Sequence, residues 1–103
     1  MGNKTVIALV KWLTPLEGGR NTPPSGPTYS TVAKFEESAH EWPRIAWSVV
    51  LEFLEIPIQA EKTKALVRFL VPNSPDRWLK TGAHFDLYEG IRIVAHVEVV
   101  EEG

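Results

Sequence analysis

The stretch GAHFDLYEGIRIVAHVEVV (residues 82–100) is two apolar, β-branched runs broken by Glu89-Gly90, and how the halves pair decides the fold. A two-residue turn would put Phe85 and Leu87 on one face with Arg92, His96 and Glu98, mixing core with charge. Side chains alternate with period two along a strand, so a change of one residue in the loop exchanges the faces. A three-residue loop, Tyr88-Glu89-Gly90, instead pairs Leu87 with Ile91. One face then reads Ala83, Phe85, Leu87, Ile91, Ile93, Ala95, Val97 and Val99, all apolar. Gly90 stands where such loops need left-handed dihedrals. Asp86 falls opposite Arg92 on the outer face in this register.

Four more runs bounded by Pro, Gly, Asn and Ser read as strands: 5–13, 29–35, 44–54 and 64–71. Ile45, Trp47, Val49, Leu51 and Phe53 share one face of the third run. Ala65, Val67, Phe69 and Val71 share one face of the fourth. Short helical turns are expected at 36–42, where Ser38 precedes Glu41, and at 74–79, where Ser74 precedes Pro75. Six short strands in one domain spanning 1–103 argue an all-β barrel or sandwich. The long connections at 14–28 and 36–43 favour Greek-key crossing over a meander.

With 11 basic and 13 acidic residues the chain has a formal charge of −2, so no global field draws it to nucleic acid. The absence of cysteine excludes disulfides, thiolate metal sites and cysteine nucleophiles, and suits a cytoplasmic chain. No apolar run is long enough to span a bilayer, and the first fifteen residues read as a strand, not a signal peptide. No membrane partner is expected.

Between the first two strands lies LEGGRNTPPSGPTYST (16–31), rich in Gly and Pro and without periodicity. Its segment EGGRNTP (17–23) resembles the EGGR-x-TP loop in the C-terminal barrel of bacterial elongation factor Tu. Residues 82–100 resemble that barrel's closing hairpin, G-x-x-F-x-[IL]-x-E-G-x-R-x-V, and the two motifs stand in the same order. The resemblance implies a small six-stranded antiparallel Greek-key barrel, elongation factor Tu C-terminal-domain-like. It also implies that loop and hairpin tip lie together and touch the backbone of transfer RNA. By position, the RNA or partner contacts would be Arg20, Asn21, Glu89 and Gly90, while Gly18, Gly19 and Pro23 shape the loop. The chain departs from the family at Asn21, where a His stands, at Tyr88, where a basic residue stands, and at Ile91, Ala95 and Val97, where glycines stand. It has no phosphate-binding G-x-x-x-x-G-K-[ST] loop, so no GTP binding is expected.

Each candidate site has a structural alternative. Arg20 beside two glycines suits a phosphate, yet an arginine there also serves by pairing with Glu17 or capping carbonyls. His84 and His96 lie near Asp86 and Glu98 on the predicted outer face; with no third ligand fixed by spacing, they read as solvated side chains and no metal is expected. Trp12 and Trp47 belong to the core, whereas Trp42 and Trp78 lie in loops. No serine has a base and an orienting acid at a recognisable spacing, and no cofactor motif occurs. The chain therefore reads as a non-enzymatic binding module. Its expected partner is a protein, in translation or a second copy of itself; the alternative is local RNA binding through the Gly-rich loop and hairpin tip.

Overall fold

The computed structural model describes residues 4–102. Six strands, β1 (Val6–Trp12), β2 (Thr28–Phe35), β3 (Trp47–Phe53), β4 (Lys62–Phe69), β5 (His84–Glu89) and β6 (Arg92–Glu102), form a closed barrel in the order β1-β4-β3-β2-β5-β6. Every neighbouring pair is antiparallel. The hairpin-linked strands β2, β3 and β4 with β1 returned beside β4 make the expected Greek key. Three-residue 3-10 turns lie at Pro15–Glu17 and Asp76–Trp78, and a kinked six-residue one at Glu36–Glu41.

Inward positions follow the alternation of the sequence. In β1, Val6, Ala8, Val10 and Trp12 are buried; in β4, Thr63, Ala65, Val67 and Phe69. Aromatic side chains gather at one end of the barrel. The Phe35 ring stacks on Phe85 at 4.5 Å between centroids and lies 5.2 Å from Phe69 and 5.5 Å from Trp78. Such pairs add to the burial of area. Strand β4 ends at Phe69, so Val71 leaves the inner face and is exposed. Asn73 then turns the chain in the left-handed region, φ 60°.

The last hairpin corrects the expected register. Glu89 pairs with Arg92, so the turn is the two-residue one, Gly90-Ile91, with Gly90 at φ 65°. A bulge then intervenes: Tyr88 pairs with Ile93 but Leu87 with Ala95, which leaves Val94 unpaired and buried. Beyond it Phe85 faces Val97, and the apolar face is recovered with Ala95, Val97 and Val99 but without Ile91 or Ile93. Ile91 is wholly exposed, Ile93 lies on Tyr88's parity, and Asp86 sits opposite His96 instead of Arg92. Parity had been satisfied by an extra residue in the strand, not in the loop, a device that increases twist at barrel rims.

The topology sorts the connections. Segments 13–27, 54–61 and 90–91 join strands at one end of the barrel, here called the upper end, and 36–46 and 70–83 join them at the other.

The bulged register predicts opposite outcomes for neighbouring apolar residues of the hairpin. Leu87→Ala should cost about 2 to 5 kcal/mol in chemical unfolding. Ile91→Ser should stay within about 0.5 kcal/mol of the parent. A large loss from Ile91→Ser would restore the three-residue loop.

Candidate functional site

The upper end is built on a single tight turn. Thr14 caps the 3-10 turn at Pro15–Glu17: its hydroxyl accepts from the Glu17 N–H at 3.3 Å, while its own N–H donates to Glu17 Oε1 at 2.9 Å. Pro15 supplies the fixed φ of the first position. Gly18 ends the turn at φ 89°. Gly19 then passes so close to the chain leaving β1 that a Cβ there would stand 2.2 Å from the Leu13 carbonyl oxygen. Only glycine fits. Gln59 fastens the 54–61 connection to this turn, its amide donating to the Arg20 carbonyl at 2.6 Å and the Leu13 carbonyl at 3.4 Å. The Ala60 N–H donates to the Trp12 carbonyl at 2.9 Å. Pro23 is half-buried and Pro24 buried, so the Pro-rich continuation is packed too.

Arg20 and Glu89, 69 residues apart, meet directly: the Arg20 guanidinium forms an ion pair with Glu89 Oε2. The Tyr29 hydroxyl donates to the same oxygen. Arg92 approaches the other carboxylate oxygen at 3.5 Å. Arg20 Nε also donates to the Thr22 carbonyl at 3.0 Å, and the guanidinium lies 5.7 Å from the centre of the Tyr29 ring. Arg20 thus pairs and caps as the structural alternative foresaw, but with Glu89 and Thr22 in place of Glu17. Asn21 and Gly90 are exposed beside this network. Arg20, Asn21, Thr22, Glu89 and Arg92 line an open polar recess of about 330 Å³. Loop and tip therefore come together; Tyr29, Gln59 and Arg92 are the partners that spacing did not reveal.

Electrostatics follow from this packing. Burial pushes the Glu89 carboxyl up, but hydrogen bonds from Tyr29 and Arg20 and the fields of Arg20 and Arg92 outweigh it and hold the group below its ordinary range. Burial, and then the bond to Glu89, push the Tyr29 hydroxyl up to about 12. At neutral pH Tyr29 is a donor and Glu89 an anion.

Beside the polar recess runs an apolar groove of about 490 Å³ between the Pro-rich loop and the start of the 54–61 connection. Pro23, Pro24, Pro27, Phe53, Leu54 and Ile56 supply its apolar lining. The groove is part of a wider pattern. Seven large hydrophobics are exposed among the described residues, and five of them, Leu16, Leu54, Ile56, Ile58 and Ile91, belong to the upper connections. Leu70 and Val71 are the two at the lower end.

No protein-family model matches the chain. Over 88 residues, 81% of its length, it is 31% identical to the major S-layer protein of Methanosarcina mazei. That stretch is 13% of the relative, so the chain spans a small part of a much longer protein. No helix among the described residues is long and apolar enough to cross a membrane.

Two outcomes test the geometry. Gly19→Ala, which must displace backbone, should lower stability by about 1 to 3 kcal/mol in thermal or urea unfolding. Glu89, with its folded pKa depressed, contributes stability that is present above its ordinary value of 4.5 and lost as pH falls through the folded value. The stability difference between the parent and Glu89→Gln should therefore be fully developed at neutral pH and close below about pH 4.5. A difference that widens with acid would contradict the network.

Proposed function

We propose that the chain is a non-enzymatic binding module, similar to the C-terminal barrel of elongation factor Tu, whose upper end docks on a protein. The observation that carries this reading is the gathering of five of the seven exposed large hydrophobics at that end, next to the apolar groove. Contiguous exposed apolar surface rimmed by polar groups is the mark of protein contact. The ion pairs of Arg20 and Arg92 with Glu89 supply such a polar rim. A role in translation is what the resemblance contributes.

Charge favours protein over nucleic acid as the first choice. Segments 13–27, 54–61 and 89–92 carry four glutamates, Glu17, Glu55, Glu61 and Glu89, against two arginines, Arg20 and Arg92. Backbone binding to RNA needs an excess of cations. The guanidinium aligned by the family's loop is already neutralised by Glu89. RNA remains the second reading on one observation, that Arg92 keeps half its side chain exposed beside Asn21 in the polar recess.

A photoreactive residue replacing Ile56 or Ile91 should form a defined protein adduct in the native cell, and one replacing Val71 should not. Ile56→Asp with Ile91→Asp should weaken the isolated complex at least about tenfold, as expected when apolar anchors at an interface are made charged. Equal labelling from both ends of the barrel, or RNA as the adduct at the upper end, would overturn the protein reading. Cell fractionation separates the cytoplasmic location implied by the translation-factor resemblance from the exterior one implied by the S-layer relative.

A further inference from the structure

On the flank of the barrel, away from the apolar groove, the register lines up one row of side chains across five strands: Lys62 of β4, Lys11 of β1, His96 of β6, Asp86 of β5 and Lys34 of β2. Neighbouring members are one strand spacing apart, about 4.8 Å. Lys11 and Lys62 stand directly opposite each other, and like charges in that relation destabilise a sheet. Among the described residues neither ammonium forms an ion pair or a side-chain hydrogen bond. Two of the carboxylates nearby, Asp86 and Glu17, are held by hydrogen bonds. Asp86 holds His96 Nδ1 at 2.6 Å, and Glu17 Oε1 is taken by the Thr14 N–H and hydroxyl. Glu98 lies across from His84.

Between these residues is a recess of about 120 Å³, bordered by Lys11, Lys62, His84, His96 and Glu98, with Leu9 as its apolar side chain. We propose that this recess binds a phosphate group, with the ammonium groups of Lys11 and Lys62 as its cationic clamp and the His96 ring as a third contact. The pairing with Asp86 through Nδ1 fixes that ring, and in the imidazolium form its Nε2–H is left to donate to a ligand. An anion between the two lysines removes the repulsion that the sheet otherwise carries. Glu98 is the one carboxylate among the lining residues, so the two lysines give the lining two cations against one anion. The ligand is thus a single phosphate group, free or esterified, and not a long polyanion. This recess shares no lining residue with the apolar groove, and its proposed ligand does not rest on the docking reading.

Titration of the full chain with inorganic phosphate and with phenyl phosphate, followed by amide and histidine NMR resonances, tests the proposal. Saturable shifts confined to Lys11, Lys62, His96 and their neighbours are expected with both probes. Tighter binding of phenyl phosphate identifies the ester as the better ligand, and equal binding identifies the free anion. Lys62→Glu should weaken binding at least tenfold while leaving the fold intact, because it turns a repelling cross-strand pair into an attracting one. Lys62→Gln, which only removes charge, should give a smaller loss. Absence of saturable shifts, shifts centred on Arg20 and Arg92, or binding unchanged in Lys62→Glu would each overturn it.

Discussion

One unpaired residue in β6 holds the upper end together. Val94 is set out of register by the bulge and buried, and its carbonyl accepts the Leu13 N–H at 2.9 Å. Barrel closure demands that β6 present Ala95, Val97 and Val99 inward against β1 and β5. The short Gly90-Ile91 turn demands the opposite parity, and the bulge reconciles the two. The same bulge gives the chain leaving β1 its first anchor. From Leu13 the path is constrained by Gly19, whose contact with the Leu13 carbonyl leaves no space for a side chain. Arg20 is thereby delivered to Glu89.

This chain of constraints explains what could be read from the residues and what could not. Strand positions follow from period-two alternation, and the inward sets Val49, Leu51 and Ala65, Val67, Phe69 stand where alternation puts them. Greek-key crossing was legible from the lengths of the connections. The hairpin register was not, because parity fixes only that one extra residue is needed, not whether loop or strand holds it. Ile91 shows the ambiguity: apolar and in phase on paper, it is the turn's exposed tip. Ile45 and Val71 stood in phase with their strands but lie beyond the ends of β3 and β4. The proximity of Arg20 and Glu89 came from the family resemblance; no local pattern links residues so far apart. Tyr29 was hidden for the same reason, its role depending on a partner across the barrel end.

The Arg20–Glu89–Tyr29 network bears on how the upper end works. Removing any member leaves the others partly buried and short of a partner, which costs more than the pair contributes when intact. Its position argues for shaping the loop, since Arg20 Nε and the guanidinium are turned to Thr22, Glu89 and the Tyr29 ring. The aromatic floor continues inward: Tyr29 meets Trp12 edge-on at 5.3 Å, and Trp12 meets Phe53 at 6.3 Å. Phe53 in turn lines the apolar groove. Polar clamp and groove are therefore two faces of one packed layer that share Trp12.

A rim that is held this way has a thermodynamic consequence for recognition. Association must offset the ordering of loops and side chains at the interface, and a surface already ordered in the free protein avoids much of that cost. Four of the five upper-end hydrophobics lie on segments fastened by named contacts. Leu16 lies in the capped turn, Leu54 donates its N–H to the Lys64 carbonyl at 3.0 Å, Ile58 accepts from the Glu61 N–H at 3.2 Å, and Ile91 lies in the tight turn beside Glu89. Ile56 stands between two such anchors. Long connections normally bring conformational freedom with them; here glycine shape, a capping box and the Gln59 bridge take that freedom away. The Gly- and Pro-rich loop is best understood as a rigid wall of the groove, which holds in place the apolar edge proposed to dock on a protein.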